Sequence, residues 1–287
     1  MSYKQNWISW NEQCNINYRL HNLNNFHNEL INNSIAIHES FSGKLDLLFS
    51  GGTSSQVALY SFLEAGIPVN LITANFSNLN LRDVNSAIEI SNNLNLQLKI
   101  IDIDIKKFFE NEAEELFEKA PCFDINNLLI TKILSFCDNT PIVGGKELQV
   151  IRESLDYTVN KDWYVKILNE NFYINNNVSR PMISNWGMYS PEVILSLLQE
   201  EEIKKIIDNK QYGKLSLNTT LYPMYKKIWP YFYTRSPQIG LENDQFPWLL
   251  SDILLNFFQQ KVQKNKQFTR RPVGNLPCSE GTTIIFK

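Results

Sequence analysis

The stretch Leu45-Asp46-Leu47-Leu48-Phe49-Ser50-Gly51-Gly52-Thr53-Ser54-Ser55 runs straight into Gln56-Val57-Ala58-Leu59-Tyr60-Ser61-Phe62-Leu63. The first five residues form a short apolar run, the pattern of a strand buried on both faces of a parallel sheet. Residues 56–63 repeat apolar side chains at helical spacing and stop before Gly66-Ile67-Pro68. Between them lies a loop of small residues. Glycines let a backbone approach an anion without Cβ clashes, and the first amides of a helix point free N–H groups at it. The hydroxyls of Ser50, Thr53, Ser54 and Ser55 add donors. A plain Gly-Gly turn would also join such a strand to such a helix. The flanking elements favour the phosphate site.

Working outward, Val69 to Thr73 is a second strand, residues 82–94 a helix, and Leu96 to Ile105 a third strand. Helical stretches follow at about 106–119 and 126–137, then a fourth short strand, Pro141-Ile142-Val143. The order β-loop-α-β-α-β predicts a parallel sheet with helices on its faces. Ser190-Pro191-Glu192 carries the signs of a helix start: a serine cap, proline in the first turn and an acid near the positive end. Beyond about residue 158 strand signals fade until Thr283 to Phe286, and another apolar helix is read within 244–260. The expected organisation is an extension over 1–43, a nucleotide-binding domain over 44–157 and a mostly helical region over 158–287.

The 287 residues carry 27 Lys and Arg against 30 Asp and Glu, a net charge of −3. That balance disfavours nucleic acid as the partner, because phosphate neutralisation needs clustered cations. Hydrophobic residues at 43% and charged residues at 20% are those of a globular protein. The four cysteines, at 14, 122, 137 and 278, are too far apart for a metal or redox clip. The three histidines, His21, His27 and His38, lack ligand spacing and read as surface residues. With neither an apolar leader nor a membrane-length apolar run, the expected location is the cytoplasm.

The loop Ser50 to Ser55 resembles the PP-loop, the S-G-G-x-D-S pyrophosphate motif of ATP pyrophosphatases in the adenine nucleotide alpha hydrolase-like superfamily. The resemblance covers residues 44 to about 157. It implies a Rossmann-like, doubly wound parallel sheet of the HUP type, with ATP and Mg2+ as cofactors. It also implies that Thr73-Ala74-Asn75-Phe76, at the end of the second strand, lies near the adenine. One departure matters: Ser54 stands where the motif has an aspartate that helps hold magnesium on the pyrophosphate. A serine brings no charge, so another acid would serve the metal.

A second constellation, Gly144-Gly145-Lys146-Glu147, follows the fourth strand at the sheet edge where open α/β folds bind ligands. Gly144 and Gly145 then line the nucleotide, Lys146 meets phosphate as a point charge, and Glu147 is the implied magnesium ligand. A glycine turn opening a charged surface helix is the bland reading of the same residues. Farther on, the aromatic and cationic mix from Tyr225 through Lys227 and Arg235 to Glu242 either closes over the nucleotide or packs as a satellite core. Lys227 and Arg235 are candidates to stabilise developing charge.

The resemblance is nearest to the synthetase domain of asparagine synthetase-like enzymes. Ser2 and the short residues 1–43 do not match the glutaminase domain that such enzymes carry. The absence of cysteine clusters argues against the zinc or iron–sulfur members. The expected function is adenylation of a small-molecule carboxylate or carbonyl oxygen, with release of pyrophosphate and attack by an amine or ammonia. Ammonia would come from solution or from a partner, and a homo-oligomer is the alternative assembly. Two other readings stay open: an RNA- or nucleoside-modifying enzyme of the same superfamily, and a nucleotide-binding module without turnover.

Overall fold

The computed structural model describes residues 13–16, 23–41, 43–119, 125–144, 149–152, 163–167, 182–183, 186–208, 213–214, 221–233 and 282–286. Strand β1 (Gln13–Ile16) precedes α1 (Phe26–Ser40), β2 (Leu45–Leu48), α2 (Thr53–Glu64), β3 (Val69–Phe76), α3 (Leu81–Asn93) and β4 (Leu98–Ile103). Then come α4 (Ile105–Asn111), α5 (Ala113–Lys119), α6 (Ile125–Leu134), β5 (Thr140–Val143), β6 (Gln149–Arg152) and β7 (Trp163–Ile167). Helices α7 (Pro191–Leu197) and α8 (Glu201–Asp208), strand β8 (Gly213–Lys214), α9 (Tyr222–Ile228) and β9 (Thr282–Phe286) complete the described elements.

Four strands form an all-parallel sheet in the order β4-β3-β2-β5. The chain starts at β2, builds outward through β3 and β4, then reverses to place β5 on the other side of β2. Helices cover both faces, so the fold is a Rossmann-like, doubly wound α/β sheet. Leu45 and Leu47 of β2 and Leu71 of β3 pack with α1, α2, α3 and α7. Ile72, Ala74, Ile101 and Ile103 face the other way, onto α4 and α6. Alternate residues of β3 thus feed two cores, Leu71 one and Ile72 and Ala74 the other, which is why this strand is apolar on both faces.

Local chemistry sets the helix ends. Asn25 caps α1 by accepting from the Asn28 amide at 2.8 Å. Helix α2 stops in a Schellman motif: Ile67 N–H bonds Phe62 C=O at 2.9 Å, Gly66 N–H bonds Leu63 C=O at 3.0 Å, and Gly66 has φ +69°. Helix α3 ends in the same way, with Asn95 at φ +53° in the glycine's place. The sequence reading runs one helix over 106–119. The structure instead breaks it at Glu112 into α4 and α5, with Asp104 capping α4 through the Lys107 amide.

Within the stretch expected as an extension, residues 26–40 form a full helix in the core. Phe26, Leu30 and Ile37 of α1 are buried with α2 and α7. A second sheet joins distant parts of the chain in the order β1-β9-β7-β6-β8, with β1 and β9 parallel and the rest antiparallel. Strands β6, β7 and β8 are not read from the sequence, although β7, Trp163 to Ile167, is rich in strand-forming residues. The helix read within 244–260 lies outside the described residues. No described helix is long and apolar enough to cross a membrane.

Asp46 ties the amino end of the parallel sheet together. Its side chain is 1% exposed. One carboxylate oxygen accepts from Asn70 Nδ2 and Asn139 Nδ2, each at 2.8 Å. The other accepts the backbone N–H groups of Asp138 and Asn139 at 2.9 and 2.8 Å. Burial by itself raises the carboxyl pKa, but these hydrogen bonds outweigh it and hold the group below its ordinary value. A depressed folded pKa makes the stabilisation complete above the unfolded value of about 3.9. It is lost as pH falls through the folded value. Asp46→Asn should therefore cost about 2–3 kcal/mol in urea unfolding at pH 7, because an amide N–H would face buried donors. The gap between variant and wild type should narrow below about pH 3.9. A gap that stays constant with pH would remove the carboxylate from this role.

Candidate functional site

Pairing of β2 with β3 continues one residue past the strand, through Phe49 N–H to Ile72 C=O at 2.7 Å. The chain then turns at Gly51, whose φ is +68°. A Cβ built on Gly51 would lie 2.7 Å from Ser86 Cβ and 2.8 Å from the Ala87 nitrogen. The sequence reading gives this glycine to phosphate approach; in the structure the space is filled by α3. On the other side, a Cβ on Gly144 would lie 2.8 Å from Ser55 N and 2.9 Å from the Ser54 carbonyl carbon. The loop is thus wedged between α3 and the exit of β5. That is the carboxyl edge where strand order reverses, the usual ligand crevice of an open α/β sheet.

Helix α2 starts with its amides uncapped. Gly52, at the cap position, has φ −75° and ψ 165° and offers no side chain. The first turn contains no acid. The first intrahelical bond is Gln56 N–H to Gly52 C=O at 3.0 Å, which leaves the amides of Thr53, Ser54 and Ser55 without intrahelical acceptors. An anion would meet these N–H groups and the positive end of the helix dipole.

The four hydroxyls divide by direction. Thr53 Oγ1 donates to the Tyr222 hydroxyl at 3.4 Å, and Ser55 Oγ donates to Gly52 C=O at 2.9 Å. Both are spent on the loop's own architecture. Ser50 Oγ accepts from Gly52 N–H at 3.3 Å on the exposed side. Ser54 is half-buried and has no hydrogen-bond partner among the described residues. Ser50 and Ser54 are therefore the hydroxyls positioned to turn toward a ligand.

Sequence reading missed Gln56. Its side chain is 0% exposed. Nε2 donates to Gly51 C=O at 2.9 Å and to Tyr233 C=O at 3.0 Å. Oε1 accepts from Tyr233 N–H at 3.1 Å and from the Tyr60 hydroxyl at 3.4 Å. Two acceptors on one end and two donors on the other leave a single consistent orientation of the amide. Burial, with a smaller contribution from Tyr231, pushes the Tyr60 phenol up to about 12, so it keeps its proton for this bond. The signal was present in the sequence: an uncharged polar residue opening an otherwise apolar helical run.

At the end of β3, Thr73 and Ala74 are buried, Ala74 in the core on the α6 side. Asn75 and Phe76 lead into a cross-bonded turn. Asn75 Nδ2 bonds Asp102 at 2.8 Å, while Asn80 accepts from Phe76 N–H at 2.9 Å and donates to Ala74 C=O at 2.8 Å. Ser77 and Asn78 hold φ of 48° and 66°. Two successive non-glycine residues in the left-handed region are costly and need such support. Lys227 is exposed on the last turn of α9 and pairs with Glu202 of α8, which holds its ammonium above the ordinary value. Gly145, Lys146, Glu147 and Arg235 lie outside the described residues.

Among the described residues no group of three or more His, Cys, Asp and Glu side chains converges on a metal-sized site. The uncapped amides and the outward hydroxyls do fit a nucleotide's phosphates.

No family model matches the chain. The search of curated proteins gave no match. Among solved structures, the chain is similar to an NMN synthetase from Francisella tularensis, at 19% identity and a TM-score of 0.30. That likeness covers 41% of this chain and 52% of that one, so the chain spans about half the length of the NMN synthetase. A predicted subunit of tRNA methyltransferase from Methanocaldococcus jannaschii is similar at 19% identity and a TM-score of 0.32, over 59% of this chain and 88% of that chain. An NH3-dependent NAD synthetase from Campylobacter jejuni is similar at 13% identity and a TM-score of 0.34, over 88% and 98%. At these identities and scores the likenesses carry no argument about activity.

Gly51 and Gly66 share a left-handed backbone, with φ of +68° and +69°. Their surroundings differ, because a Cβ on Gly66 would meet nothing within 4 Å. Gly66→Ala should cost about 1–2 kcal/mol, the strain of a left-handed residue. Gly51→Ala should cost about 1–3 kcal/mol more, because α3 must move. Thermal unfolding of the two variants measures the difference. Equal losses would show that the loop is not wedged.

Proposed function

We propose that the chain is an ATP-dependent adenylating enzyme of the PP-loop type. In this reading the β- and γ-phosphates of ATP bind at the start of α2, against the amides of residues 52–55 and the hydroxyls of Ser50 and Ser54. A carboxylate or carbonyl oxygen of a small-molecule substrate attacks the α-phosphorus. The bond from the α-phosphorus to the bridging oxygen breaks, and pyrophosphate leaves with that oxygen. An amine or ammonia then attacks the activated carbon and displaces AMP. The observation that carries the reading is the uncapped, acid-free start of α2 at the reversal point of the sheet.

The protein's share of the work is positioning and charge neutralisation. Amides held rigidly toward the leaving group lower the barrier without reorganising during the step. We assign Lys146, and with it Lys227 and Arg235, to the developing phosphate charge. Lys227 would have to leave Glu202 to take part. Magnesium, entering with the nucleotide, would neutralise phosphate charge, and Glu147 is the residue we assign to it. We place Asn75 and the turn after β3 beside the adenine, and the cytoplasm as the setting. A second reading is supported by Ser54, which brings no charge where a metal-binding aspartate is expected. It makes the chain a nucleotide-binding module without turnover.

Gly52 offers the clean test, because its φ of −75° and ψ of 165° suit any residue. Gly52→Val should keep the melting temperature within a few degrees and lower ATP affinity at least tenfold by calorimetry, about 1.4 kcal/mol. Affinity within threefold of wild type would leave the loop purely structural.

Pyrophosphate release from MgATP separates the two readings. The enzyme reading expects release by wild type in the presence of an acceptor substrate, and a fall on Ser54→Asp, since a further carboxylate beside the phosphates adds repulsion and desolvation. A silent wild type that gains release on Ser54→Asp would favour the binding module.

A further inference from the structure

We propose that Gln56 is a positioning residue through which the segment 221–233 sets the aim of the phosphate-binding amides. The proposal rests on the assignment of loop 50–55 to the phosphates of ATP.

The segment lies along the whole of α2. At its start, the Tyr222 hydroxyl accepts from Thr53 Oγ1. In its middle, Tyr60 meets Trp229, Tyr231 and Phe232 with ring centroids 5.4, 5.0 and 5.8 Å away. Trp229 Nε1 donates to Glu64 at the far end of α2 at 2.7 Å, and the same carboxylate holds His27 at 2.5 Å. Tyr233 then returns to the loop, where its N–H and C=O both pair with the Gln56 amide. Trp229 and Phe232 are 0% and 2% exposed, so docking of the segment is driven by burial.

Gln56 converts that docking into loop geometry. Its second Nε2 hydrogen goes to Gly51 C=O. The peptide between Gly51 and Gly52 is planar and trans, so turning its carbonyl inward turns its N–H outward. The Gly52 N–H does point to the exposed side, at Ser50 Oγ. If the segment lifts, Gln56 loses its two bonds to Tyr233, and its grip on Gly51 loosens with them. An apolar residue would fill the same volume at lower desolvation cost. A fully satisfied buried amide, bonded to the loop and to the segment at once, is what a mechanical coupling requires. Coupling of this kind is reciprocal: the segment must favour anion binding, and a bound anion must favour the docked segment by the same factor.

Three measurements test the proposal, with inorganic pyrophosphate plus magnesium as the probe. Gln56→Met keeps the volume and loses the bonds; its pyrophosphate affinity should fall at least tenfold at a temperature well below its melting point. Glu64→Gln weakens the far end of the segment; it should lower the melting temperature but leave affinity within threefold. In wild type, pyrophosphate should slow exchange of the Tyr233 amide about tenfold. Gln56→Met affinity within threefold of wild type overturns the inference and leaves the ATP assignment standing. Equal affinity losses in both variants, scaling with their stability, also overturn it. If Gln56→Met does not fold, the exchange measurement decides alone, and no change at Tyr233 overturns the coupling. A wild type that binds neither pyrophosphate nor MgATP ends the ATP assignment and this inference together.

Discussion

Two backbones meet the loop where no side chain fits between, and the arrangement of the parallel sheet's carboxyl edge depends on both contacts. Gly51 lies against the backbone of Ser86 and Ala87, and Gly144 lies against the backbone of Ser54 and Ser55. Dispersion and excluded volume at such range leave little room for the loop to shift. The consequence is preorganisation. Amides that would be flexible in an isolated turn are held by α3 from one side and by the exit of β5 from the other. The register of β2 between β3 and β5 sets the distance between these two jaws. Asp46, buried at the opposite end of the same strands, holds that register by bonding β3 and the turn before β5 at once.

The parallel sheet was legible in the sequence because its signals are local. A strand of four residues, a loop and a helix of twelve contain their own punctuation, and Gly66 and Asn95 end helices with chemistry visible within three residues. The second sheet was not legible. Strand β9 is read as strand-like, but nothing in Thr282 to Phe286 says that it pairs with Gln13 to Ile16. Pairing across such separations depends on the whole fold, not on any window of residues. Helix α1 was blurred for a different reason: buried Asn33 and Ser34 interrupt its apolar stripe, and Asn33 spends its amide on Trp186 C=O at 2.9 Å.

The loop's composition was legible in the sequence, and the directions of its side chains were not. Sequence identifies the residues of the loop, since few other contexts call for S-G-G followed by three hydroxyls. It does not say which hydroxyls face inward. Thr53 and Ser55 look equivalent to Ser50 and Ser54 until the carbonyl of Gly52 and the phenol of Tyr222 are in place. Nor does it separate a glycine needed by a ligand from one needed by a neighbouring helix. Gln56 was overlooked because a polar residue at the edge of an apolar run reads as a boundary. Here it is a fully buried hub.

The pairing of β1 with β9 has a bearing on how the protein is made. The four strands of the parallel sheet lie within residues 45–143, with Ile183 bridging to β5, and its neighbours in space are mostly neighbours in sequence. Its four strands are all present once residue 143 has left the ribosome. The second sheet has β9 in its interior, between β1 and β7. Until residues 282–286 emerge, β1 has no strand partner among the described residues and β7 presents a raw edge, the kind of surface on which strands of other chains add. Synthesis therefore passes through a long interval in which one sheet can be complete and the other is open. A chain cut short between residues 233 and 282 would hold the loop 50–55 between its two jaws and still leave the second sheet open beside β7.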